Sequence, residues 1–184
     1  MHALWFSPLL PLLFLVNCLF LGYAMVVAES TLSSSGLGTR RDTGLLGSLA
    51  PIMGWLLLLF LGLRFGELAL RGNLGAAFVP GKYAAWFWVE TLLLLAPAVV
   101  LLGKKARTRA STQFGAALSV LAGGILYRFN TYILAYDPGP GWSYFPSALE
   151  ILITAGFAAA QVMIYLWVVR RFPVLSSATP AESR

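Results

Sequence analysis

The chain of 184 residues is poor in everything that usually marks a soluble enzyme. It has one cysteine, Cys18, so its own thiols can build neither a disulfide nor an iron–sulfur cluster. It has one histidine, His2, which excludes a haem held between two imidazoles of this chain. Charged residues are 11% of the total, against about 25% in a soluble domain. No His/Cys/Asp/Glu set has metal-ligand spacing, and there is no Ser/His/Asp set or phosphate loop. The sequence therefore proposes no catalytic residue and no metal site.

What is abundant is hydrocarbon. Hydrophobic residues make up 59% of the chain and the mean hydropathy is +0.79. Five stretches reach the roughly 20 apolar residues that cross a bilayer: Leu4–Ala28, Leu45–Leu68, Tyr83–Gly103, Ala110–Leu134 and Ala148–Val169. The expected fold is an all-α polytopic membrane bundle of five transmembrane helices. It would occupy residues 1–175, with 176–184 as a disordered cytoplasmic tail. The first span lacks a basic n-region and is too long for the core of a cleavable signal peptide.

The formal net charge of +6 is no nucleic-acid footprint, because its distribution follows the membrane. Arg40, Arg41, Lys104, Lys105, Arg107, Arg109, Arg170, Arg171 and Arg184 fall on one side of a five-span topology, and Arg71 and Lys82 on the other. The positive-inside bias places the C-terminus in the cytoplasm and the N-terminus outside. An outside N-terminus fits simple insertion, or a first helix that comes after others in a longer protein.

Charges inside apolar runs are costly and commonly mark function. Arg64 and Glu67 close the second span and share a face. Glu90 lies inside the third, Arg128 and Asn130 near the outer end of the fourth, and Glu150 opens the fifth. Two readings stand side by side. One is a set of ion pairs that fixes helix register, with Arg64 snorkelling to the interface. The other is a polar funnel for protons or a quinone head group. Glu90 is expected to face the interior and approach Arg128 or Arg64.

Lesser signals concern packing. Thr154 and Gln161 share one face of the fifth span with Glu150, and Asn17 lies midway along the first; all three suit interhelical hydrogen bonds. Gly115, Ser119, Gly123 and Gly124, and then Gly156, Ala159 and Ala160, suit close helix approach. Pro97 predicts a kink. The stretch from Asp137 to Pro146 holds Pro138, Pro140, Gly139 and Gly141 and cannot be helix. Its Trp142, Tyr144 and Phe145 either anchor the fifth helix at the headgroups or dock a partner.

Several of these runs carry a resemblance. Leu4-Trp5 with Leu10-Pro-Leu-Leu-Phe14, Arg64-Phe-Gly-Glu67, the run from Phe87-Trp-Val-Glu90 to Pro97, Tyr144-Phe-Pro146 with Glu150 after it, and Arg170-Arg-Phe-Pro-Val-Leu175 occur in order along nearly the whole chain. The chain resembles the C-terminal half of the HybB-type membrane subunit of nickel–iron hydrogenase complexes, in the NrfD/polysulfide-reductase superfamily. The resemblance implies a subunit that anchors a periplasmic ferredoxin-like iron–sulfur protein and hydrogenase subunits. It would pass electrons to or from the quinone pool. It also implies a separate source for the missing N-terminal helices, where the family's quinone pocket lies, and a chain with no cofactor and no haem of its own. Arg64, Glu67, Glu90, Arg128 and Glu150 stand at the family's positions. The alternatives are a small proton-conducting or transport protein, or a truncated remnant.

Overall fold

In the computed structural model, residues 2–37, 43–104, 108–136 and 144–172 are described. Five helices are long and apolar enough to cross a membrane, as expected, and no strand occurs among the described residues. They are α1 (Leu10–Leu37), α2 (Thr43–Leu70), α3 (Lys82–Leu102), α4 (Ala110–Phe129) and α5 (Ala148–Arg171). A 3-10 turn, Leu74–Ala77, precedes α3, and a π-helical turn, Asn130–Leu134, extends α4.

The first helix is displaced from its expected place. Hydropathy starts it at Leu4, but Pro8 lacks an N–H and the chain before Leu10 folds into turns. Ser7 Oγ accepts from Leu9 N at 3.0 Å and begins the helix. At its other end α1 runs past Ala28 through Ser-rich sequence to Leu37. Pro97 lies within α3 and Pro51 within α2, and neither ends its helix.

The chain divides into two compact units. The first comprises residues 1–32 and 41–142. Here α3 packs between α2 and α4, with Phe20, Phe60, Phe87 and Tyr127 buried among them. Small residues permit the approach. A Cβ on Gly123 would lie 2.8 Å from Leu94, and one on Gly124 2.6 Å from Leu21. Ser119 Oγ donates to Leu93 O at 2.7 Å and ties α4 to α3.

The second unit holds the end of α1 from Ser33 and the chain from Ser143. No residue of α5 is buried, and a Cβ on Gly156 would meet nothing within 4 Å among the described residues. Thr154 donates to Glu150 O of its own helix rather than to a neighbour. The expected tail at 176–184 lies outside the described residues.

Candidate functional site

At one end of the first unit, the turn before α1 passes over the C-terminal ends of α2 and α4 and the start of α3. His2 N donates to Ala135 O at 2.8 Å, and the His2 ring stacks on Tyr83 at 4.1 Å. Partial burial lowers the pKa of this imidazole. The turn carries Trp5 inward until its side chain is 2% exposed.

Glu90 is fully buried beneath it. One carboxylate oxygen pairs with Arg64 Nη1. The other accepts from Trp5 Nε1 at 3.1 Å and from Asn130 Nδ2 at 2.8 Å. Four segments thus converge on one carboxylate. A charged side chain at membrane depth costs roughly 2.5–3.5 kcal/mol on insertion scales, so the mutual pairing of Glu90 and Arg64 is what makes both tolerable there. The guanidinium is also flanked by rings, 4.7 Å from the Phe87 centroid and 5.0 Å from that of Tyr127. Arg64 is 3% exposed, so it does not snorkel.

Glu67 stands one turn nearer the helix end. It accepts from Ser7 Oγ, and Arg71 lies 3.8 Å from its other oxygen. Arg71 in turn donates to Phe6 O. The space bounded by Leu4, Trp5, Leu13, Arg64, Glu67 and Tyr127 has room for the centre of a water-sized sphere over only about 10 Å3. A quinone head group does not fit there.

The other expected members fall elsewhere. Arg128 is half-buried and does not meet Glu90; it donates to Asn17 Oδ1 at 3.1 Å and to Cys18 Sγ at 3.0 Å. The reason is helical geometry: Arg128 and Asn130 lie roughly 200° apart around the axis, so only one can face α3. Glu150 is exposed. It accepts from Tyr144 Oη at 2.5 Å, and Ser147 Oγ caps its helix by accepting from Glu150 N at 3.3 Å. Tyr144 and Phe145 are exposed, at 51% and 71%, and Trp142 lies outside the described residues. Gln161 is exposed.

Sequence reasoning passed over Trp5, Ser7, Arg71 and Tyr127 as partners of these charges. Trp5 and Ser7 carry no periodic signal, because they act through the turn forced before Pro8. Tyr127 could have been found: a tyrosine near the polar end of an apolar span has a hydroxyl to satisfy.

Apolar helices around a buried ion pair define a multi-pass membrane protein. The family described as polysulphide reductase, NrfD, matches residues 1–136, and the chain belongs to that family. It is 38% identical over 177 residues to a protein of Escherichia coli named probable Ni/Fe-hydrogenase 2 b-type cytochrome subunit, covering 95% of this chain and 45% of that one. It is 24% identical over 190 residues to a protein of Nitratidesulfovibrio vulgaris, covering 95% of this chain and 47% of that one. The chain therefore spans about half the length of the curated relatives it matches. No solved structure matches it.

These names correct one expectation. The chain was expected to belong to a subunit without haem, yet the Escherichia coli relative is named a b-type cytochrome subunit, which implies haem. One imidazole rules out a bis-histidine site inside these 184 residues, but it says nothing of haem ligands from outside them. Here His2 Nδ1 lies 3.4 Å from Leu4 N, and no group of three His, Cys, Asp or Glu side chains is arranged for a metal ion among the described residues. These residues do not by themselves form a two-imidazole site.

Proposed function

We propose that this chain is a membrane-embedded part of a respiratory redox complex, the C-terminal portion of a subunit of the hydrogenase type. In this reading it anchors an iron–sulfur subunit and a hydrogenase catalytic subunit on the periplasmic side of the bacterial inner membrane. It supports electron exchange with the quinone pool at the level of the whole complex. The observation that carries the proposal is the 38% identity along 95% of the chain to a relative named as a hydrogenase subunit. The remaining length of such a subunit would supply further helices. The tight cavity beside Arg64 favours placing the quinone in that remainder rather than in this cluster.

Within this reading Glu90, Arg64, Asn130 and Glu67 hold charge at the periplasmic end of the bundle, while Tyr144 and Phe145 are surface for a partner. Affinity purification of the full complex through this chain is expected to recover an iron–sulfur protein and a hydrogenase subunit. Their absence from a folded, membrane-inserted preparation sinks the proposal. In the recovered complex, Glu90→Gln is expected to lower quinone-linked turnover more than it lowers subunit recovery. A reporter fused after Arg184 is expected to be active only as a cytoplasmic reporter; alkaline-phosphatase activity there overturns the orientation.

A second reading, a proton-conducting protein, draws on the succession of polar groups Ser7, Glu67, Arg64 and Glu90 at one end of an apolar bundle. Proton flux in vesicles holding this chain alone would favour it.

A further inference from the structure

Among the described residues, three buried side-chain atoms that face one cavity lack a hydrogen bond: Arg64 Nη2, Tyr127 Oη and Glu67 Oε1, the last with only the Arg71 guanidinium at 3.8 Å. Arg64 and Tyr127 are 3% and 1% exposed, and the Glu67 side chain 10%. Buried polar groups that stay unpaired cost about 1–3 kcal/mol each, more when charged. All three residues line the same cavity.

The cavity has the size of a single water. Its roughly 10 Å3 of room for a sphere centre is at the threshold at which one water fits, and a buried water characteristically has two to four polar partners. The chemistry matches as well as the size. Arg64 Nη2 can only donate, Glu67 Oε1 can only accept, and a tyrosine hydroxyl does either. One water has two lone pairs and two protons, enough to serve all three.

We propose that this cavity is a binding site for one ordered water, which accepts from Arg64 Nη2, donates to Glu67 Oε1 and bonds to Tyr127 Oη. The water completes a hydrogen-bonded connection between two carboxylates that no direct contact joins. It runs from Glu67, which holds Ser7, through the water to Arg64 and on to Glu90. The site stands on these residues alone and does not depend on a redox role for the chain.

The test uses the full chain in lipid nanodiscs, alone or in its complex, as the wild type and as the Tyr127→Phe variant. A density map at a resolution that shows ordered waters is expected to contain a peak within hydrogen-bonding distance of Arg64, Glu67 and Tyr127. The Tyr127→Phe variant, which keeps the ring and its packing, is expected to weaken that peak. A cavity without density, or with these side chains direct partners of one another, overturns the proposal.

Discussion

Glu90 and Glu150 are both carboxylates on membrane-length helices, and they live by different physics. Glu90 is enclosed, with Arg64, Trp5 and Asn130 each spending a donor on it. Glu150 is exposed, with Tyr144 beside it and Ser147 capping its helix. The first is costly to disturb because its partners are buried away from bulk solvent. The second can exchange every partner for solvent. Position already separates the two, Glu90 inside its apolar run and Glu150 at the opening of its own, and enclosure widens the difference.

The largest effect should come from separating the enclosed pair. Arg64→Leu strands the Glu90 carboxylate and is expected to cost about 3–5 kcal/mol, read as unfolding in mixed micelles. Replacing both residues with leucine should restore most of that, since a buried pair exchanged for hydrocarbon is often close to neutral. Glu150→Gln in the same assay should change nothing measurable. A comparable loss at Glu150 would break the contrast.

A smaller effect separates the packed helices from α5. Gly54→Ala brings a Cβ to 3.0 Å from Ala98 O, a backbone atom that cannot turn aside, and should cost about 1–3 kcal/mol. Gly156→Ala meets nothing and should stabilise the helix by up to about 1 kcal/mol. Destabilisation at Gly156 would mean that another protein's helix packs there.

The smallest effect is at Tyr144. Its hydrogen bond to Glu150 raises the phenol's pKa above the ordinary tyrosine value. The raised pKa means that the bond is present below the ordinary range and lost as pH rises through the shifted one. Phenolate absorbance, taken as the difference from Tyr144→Phe, should titrate at lower pH in Glu150→Gln. An unmoved titration would show that the bond does not persist in solution.

Much of this architecture is legible in the residues alone. The apolar runs identify all five helices, because hydrocarbon length is a one-dimensional property. Arg64 and Glu90 stand out because charge at that depth needs a partner. What the sequence hides depends on three dimensions. Arg64 has three candidate carboxylates, and the choice of Glu90 depends on which faces of α2 and α3 meet. Trp5 cannot be placed while Leu4–Leu9 reads as helix. The exposure of Glu150, on a helix with no buried residue, is a property of its surroundings that no window of residues reports.

The π-helical turn at Asn130–Leu134 has a genetic corollary. Its closing bond runs from Ala135 N to Asn130 O, five residues back, at 2.7 Å, so the turn carries one residue more than an α-helical turn needs. Deleting a single codon there would let α4 continue as regular α-helix and swing the downstream chain by about 100°. The carbonyl of Ala135, which holds His2 N, would leave its place, and with it the strap that keeps Trp5 over Glu90. An in-frame lesion that spares every charged side chain could therefore undo the site, and an alignment scored on those charges would pass it as intact.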